Sequence, residues 1–223
     1  THPDSSLVNA FLYSPGRLAR EIVGYVPRIK SAKVNRASLL ATAVEVAVIE
    51  RQPFALWCRD ANNCYQMDDT GFMFAPLEAS SRTGTTTDSG PLTGFARAAS
   101  ASSTAQYEFQ GGLTASTSPT GHSFAPGHVP AILALLQMLS QAGFTPHGAM
   151  VENEQDFYVP LTAGFYIKVS YGGDAIELVR NLQLILSSDV LQGKEDQIEY
   201  IDLRFGDRVY YKLKGGSETK ASQ

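Results

Sequence analysis

From Ile198 to Lys212 the chain alternates between polar and apolar residues around Gly206-Asp207, and no other segment constrains the fold so tightly. A period of two sends successive side chains to opposite faces of a strand. A Gly-Asp pair between two such runs reads as a turn. The spacing therefore predicts a closing hairpin with strands over 198–205 and 209–212, followed by a frayed, disordered tail over 215–223. Such a hairpin at a sheet edge leaves N–H and C=O groups on its outer strand that another chain can extend. The plainer alternative is an ordinary closing hairpin whose aromatic residues fill the core.

The rest of the chain mixes helix and strand patterns. Ser14 is placed as an N-cap with Pro15 at the first helical position, and Leu18, Ile22 and Val26 recur at helical spacing until Pro27 stops the run. Short strands are expected at Ile29, Ala32 and Val34, and over 42–50, 54–58, 65–67 and 72–74. Asp68-Asp69-Thr70-Gly71 is expected to form the tight turn between the last two. Glu78 to Gly121 is dense in Ser, Thr, Ala and Gly, with islands at 92–96 and 107–109 that read as strands of a second domain between long loops. Helices are expected over 129–141, with Val129, Ile132, Leu133, Leu136 and Leu139 inward, and over 175–186 behind Asp174 as N-cap. The second would bury Ile176, Val179, Leu182 and Ile185 or Leu186. Strands over 148–151, 157–160 and 165–169 complete an α+β pattern.

Apolar residues make up 43% of the 223 residues and charged residues 18%, enough for a core and too little charge for wholesale disorder. The net charge of −4 offers no basic excess for a nucleic-acid backbone. The longest apolar run, 129–139, contains Gln137 and falls short of the roughly 18 to 20 residues that span a bilayer. The chain opens Thr-His-Pro-Asp without an initiator Met or signal sequence, as expected of a fragment lacking its targeting segment. Its two cysteines, Cys58 and Cys64, flank the turn-formers Asp60, Ala61, Asn62 and Asn63. Facing each other across a hairpin, they meet the reach of a disulfide. The alternative is a pair of thiols in a reducing cytosol. We favour the disulfide, and with it an extracytoplasmic location.

Candidate catalytic patterns fail on chemistry. Asp69-Thr70-Gly71 and Asp88-Ser89-Gly90 imitate aspartic-protease triplets, but they lie too close together to come from two lobes sharing a proton. His122 and His128 have no acidic neighbour to complete a metal site. Neither a phosphate-binding glycine loop nor a Gly-x-Ser-x-Gly elbow occurs. Asp68 and Asp69, adjacent on a strand, would point to opposite faces. The residues therefore nominate no catalytic residue, no metal and no cofactor.

Three runs carry a resemblance. Residues 200–205, Tyr-Ile-Asp-Leu-Arg-Phe, resemble the most recognisable run of the FtsQ/DivIB family of bacterial cell-division proteins. The stretch around Glu50-Arg51-Gln52-Pro53 looks like that family's Glu-Arg-x-Pro junction between a POTRA domain and a β domain. The 65–74 run is similar to its Asp-x-x-Gly-x-x-Phe hairpin. The likeness covers both ends of the chain and leaves the middle third matched by length alone; the paired cysteines and the Ser/Thr-rich insert are not general to the family. The resemblance implies a POTRA-like module over 1–52, cut short at its N-terminus, and a β domain over 53–214 with two helices on its sheet and an insert at about 78–121. It implies a single-pass inner-membrane protein with this region outside the cytoplasm, and no enzymatic activity. FtsB/FtsL-like coiled-coil proteins would bind the last strands, and other divisome members the POTRA module. By position, Phe205, Val209, Tyr210, Tyr211 and Lys212 would meet the partner, with Tyr210 or Tyr211, whichever faces outward, as the anchor. Glu50, Arg51, Pro53, Tyr200, Asp202, Leu203 and Arg204 would be the structural motif residues. Asp202 and Arg204 share one face of their strand, as a polar pair supporting the hairpin or as a partner contact. The competing expectations are a secreted hydrolase with a site in the Ser/Thr-rich loops, and a POTRA-bearing translocation chaperone.

Overall fold

The structure is a computed structural model that describes residues 14–36, 44–77, 107–113 and 118–221. The chain divides into two compact units between Gln52 and Pro53. The described residues hold three α-helices, a two-stranded sheet and a ten-stranded mixed sheet, an α+β content. The expected island at 92–96 and most of the Ser/Thr-rich insert lie outside the described residues.

In the first unit, helix α1 (Pro15–Tyr25) starts with Pro15, whose missing N–H costs nothing where no intrahelical partner exists. Ser14 takes the extended N-cap conformation, but its hydroxyl makes no capping bond. Strands β1 (Ile29–Arg36) and β2 (Val44–Glu50) pair antiparallel with Ala32 opposite Val48 and Val34 opposite Val46. The alternation of β2 predicts one buried face, yet every residue of the strand is exposed, Ile49 to 63%. Arg51 secures the end of β2. Its N–H donates to the Arg28 carbonyl at 2.8 Å and its Nε to the Pro27 carbonyl at 3.0 Å.

The second unit contains β3 (Ala55–Asp60), β4 (Asn63–Met67), β5 (Met73–Pro76), β6 (Tyr107–Gly111), β7 (Gly148–Val151), β8 (Asp156–Pro160), β9 (Tyr166–Ser170), β10 (Ile198–Phe205), β11 (Arg208–Leu213) and β12 (Glu218–Lys220), with helices α2 (Val129–Gln141) and α3 (Ala175–Leu186). The spatial order is β12-β11-β10-β9-β8-β7-β6-β3-β4-β5. The β3–β6, β6–β7 and β9–β10 pairs are parallel and the others antiparallel. The island at 107–109 is therefore not part of a separate domain: as β6 it lies between β3 and β7 in the same sheet. Gly148 permits that closeness, because a Cβ there would sit 1.7 Å from the Glu108 carbonyl oxygen.

One core joins the inner sides of α2 and α3 to alternate residues of the sheet, among them Trp57, Phe109, Ala149, Ile167 and Ile201. The helix bounds agree with the sequence pattern, and Asp174 caps α3 by accepting from the Ile176 N–H at 2.8 Å. Their rotations differ from it in part. Leu135 joins the buried side of α2, with Leu133 only partly covered. In α3 it is Leu178 that turns inward, while Ile176 is 66% exposed. The expected turn at Asp68 is present, with the Gly71 N–H donating to the Asp68 carbonyl at 3.0 Å and Gly71 at φ +86°. Buried Asp68 serves this turn, accepting from Thr70 Oγ1 at 2.6 Å and from the Phe72 N–H at 3.1 Å.

Candidate protein-docking site

The end of the chain forms a three-stranded ribbon at one margin of the large sheet. In β10, Ile201 and Leu203 point toward the helices and are buried. Asp202 and Arg204 alternate with them onto the opposite face, as does Tyr200. Across the β10–β11 pair, Ile201 stands opposite Tyr211 and Asp202 opposite Tyr210. Tyr211 therefore faces the core, 8% exposed, and Val209 with it at 4%. Neither is an outward contact, so Tyr211 is excluded as the anchor and Val209 as a surface residue. Tyr210 takes the other face and meets Phe205 edge-on at 5.3 Å. Phe205 is 54% exposed at the hairpin tip. Lys212 is engaged by Glu199 at 2.9 Å.

Asp202 and Arg204 are engaged within the sheet. Arg204 grips Asp202 with two nitrogens, Nε at 2.9 Å and Nη2 at 2.6 Å, and reaches Asp156 on β8 with Nη1 at 2.7 Å. Asp156 also accepts from Ser170 Oγ at 2.7 Å, so the cluster ties β8, β9 and β10 together. Burial alone would raise the Asp156 carboxyl, but the Ser170 hydrogen bond and the Arg204 guanidinium outweigh it and hold it below the ordinary carboxylate value. The hydrogen bond to Asp202 raises Arg204 still further and keeps it charged.

Beside this cluster lies a row of tyrosines, of which the sequence pattern singled out Tyr200 but not Tyr158 or Tyr166. Ring centroids of Tyr158 and Tyr166 are 5.3 Å apart, and those of Tyr166 and Tyr200 are 5.5 Å apart. Lys168 Nζ sits 3.9 Å from the Tyr200 ring centroid. The signal was present in the alternation of Tyr166, Lys168 and Ser170, but nothing linked it to Tyr158 or Tyr200 before the pairing was known. Tyr200 donates its hydroxyl to Glu218 Oε2 at 2.6 Å. Burial and that carboxylate push the phenol well above its usual range.

Glu218 belongs to β12, which corrects the expectation of a disordered tail. Gly215-Gly216 turn the chain, with the Gly216 N–H donating to the Leu213 carbonyl at 2.9 Å, and β12 returns antiparallel along β11. Tyr211 stands opposite Thr219, and the Ala221 N–H donates to the Val209 carbonyl at 2.8 Å. The β11 rim, expected to be open, is occupied by the chain's own residues. By the antiparallel alternation, the backbone groups of Glu218 and Lys220 point away from β11. At the far margin, β5 is partly covered, since the Met73 N–H donates to the His122 carbonyl and the Gly121 N–H to the Met73 carbonyl.

Elsewhere, the Cys58–Cys64 disulfide is formed across the β3–β4 hairpin, and both cysteines are buried. His128 stacks on Tyr171 at 4.0 Å. Among the described residues no cluster of three metal-ligating side chains occurs, and no helix is long and apolar enough to cross a membrane. No protein-family model matches the chain, and no curated protein sequence matches it.

Proposed function

We propose that this protein is a non-enzymatic divisome scaffold of the FtsQ/DivIB type, with a POTRA-like first unit and a β domain that binds FtsB/FtsL-like coiled-coil proteins through its C-terminal ribbon. The observation that supports the reading is that the Tyr-Ile-Asp-Leu-Arg-Phe run forms β10 of a three-stranded ribbon at one margin of the mixed sheet, whose outermost strand, β12, is three residues long. The helix–strand–strand order before Glu50-Arg51-Gln52-Pro53 supports the same reading, as does the division of the chain just after Gln52. The Cys58–Cys64 disulfide suits an extracytoplasmic setting, on the outer side of the inner membrane as the family resemblance implies. Contact would come from the Phe205–Tyr210 pair on the ribbon's outer face, with Lys212 alongside.

The test is capture of a purified FtsB/FtsL-like pair from the same organism by the immobilised chain. Phe205→Ala and Tyr210→Ala, both on exposed or half-exposed rings, should each weaken capture about tenfold, the order of one interface anchor. Failure of the wild-type chain to retain the pair would overturn the reading.

A further inference from the structure

We infer that β12 is a resident stand-in for a partner strand. The docking site is the rim of β11, and an incoming strand takes the place of Glu218–Lys220 and Ala221. The inference rests on the reading of the ribbon as a docking surface, and it names the partner's chemistry and how the site is kept closed.

Three observations carry it. First, β12 is three residues long and all three are exposed, so the only apolar burial described for the displaced segment is that of the small Ala221 just beyond it. Second, its attachments are few: the pairing of Thr219 with Tyr211, the Ala221–Val209 bond and the Tyr200–Glu218 clasp. Segments held by so few contacts open locally without the rest of the domain, and Gly215-Gly216 gives the tail a turn on which to swing. Third, what β12 would offer on its own outer side is poor. Glu218 and Lys220 put opposite charges along a rim of two residues, a pattern that discourages further pairing. A strand arriving from outside gains more hydrogen bonds along Arg208–Leu213 than along Glu218–Lys220.

The resident strand also defines what a replacement must carry. Glu218 stands opposite Lys212 and accepts the Tyr200 hydroxyl, so the partner presents a carboxylate there. Ala221 is 8% exposed and belongs to the core beside Val209, so three positions later the partner carries a small apolar residue. The recognised segment is an extended Glu-x-x-Ala strand, antiparallel to β11.

The experiment uses the full chain and a synthetic peptide of its own tail, Gly-Gly-Ser-Glu-Thr-Lys-Ala, as the probe. Thr219→Pro removes the donor that pairs with Tyr211 while altering only an exposed residue. In this variant the Tyr211 amide should exchange at least tenfold faster than in the wild type. NMR titration should show the peptide shifting β11 resonances at least tenfold more tightly than in the wild type. A peptide with Lys in place of its Glu should bind at least tenfold more weakly. Equal peptide affinity for both chains, no binding to the variant, or an unchanged Tyr211 exchange rate would overturn the proposal. A concentration-dependent wild-type dimer that Thr219→Pro dissolves would overturn it too, in favour of a tail exchanged between copies. The peptide contains nothing of an FtsB/FtsL-like partner, so its failure leaves the coiled-coil capture experiment to stand or fall separately.

Discussion

Replacing Arg204 with methionine removes one side chain from three strands at once. Its guanidinium is the only side-chain partner described for the Asp202 carboxylate, whose side chain is 1% exposed. Without it, Asp202 keeps just the Arg204 backbone N–H at 3.1 Å. Breaking a buried pair from one side costs about 3–5 kcal/mol. Arg204 itself is 24% exposed and water can follow its departure, which places the expected loss near the lower end, about 3 kcal/mol. Urea unfolding at neutral pH, followed by the Trp57 fluorescence of the second unit, measures it directly. A pH series separates the contributions. The Asp156 carboxyl lies below its ordinary value of 3.8, so its stabilisation is present above that value and is lost as the pH falls through the lower, folded one. The wild type should therefore lose stability in that acid window, and Arg204→Met should lose less there, because part of the depression has already gone. Combining Asp202→Leu with Arg204→Met should recover much of the deficit, since the pair then leaves together. A cost below about 1 kcal/mol, typical of exposed pairs, coupled with lost partner capture would refute the structural assignment and make Arg204 a contact residue.

Two further outcomes are expected. Replacing Cys58 and Cys64 together by alanine should lower stability by about 2 kcal/mol, the chain-entropy value for so short a loop; identical urea midpoints for the two proteins would show that the hairpin is equally restrained without its bridge. Leu178→Ala should cost about 2–4 kcal/mol and Ile176→Ala less than about 0.5 kcal/mol, and the reverse order in thermal unfolding would restore the helical face expected from sequence.

Local chemistry was legible and global placement was not. The α2 and α3 bounds could be read because the apolar period of 129–141 and 175–186 and the Asp174 cap are local signals that act within a turn of where they stand. The Asp68–Gly71 turn, the Cys58–Cys64 hairpin and the two long strands of the ribbon were legible for the same reason. Strand β6 was harder to place: its pairs with β3 and β7 are parallel, and parallel neighbours come from distant sequence with no turn between them to announce the match. Strand β12 was missed because Glu-Thr-Lys has no apolar alternation, its pairing being backbone to backbone.

The site divides along the same line. Sequence by itself determined that Asp202 and Arg204 share a face, that Tyr210 and Tyr211 point to opposite faces, and that residues 198–212 form a hairpin, all consequences of a period of two. Only the tertiary structure decided which of those faces meets the helices, that Arg204 finds a second carboxylate on β8, and that the β11 rim is already filled. A strand's pattern states which residues stand together, but the side they are turned to depends on what packs above the sheet, and that arrives from elsewhere in the chain.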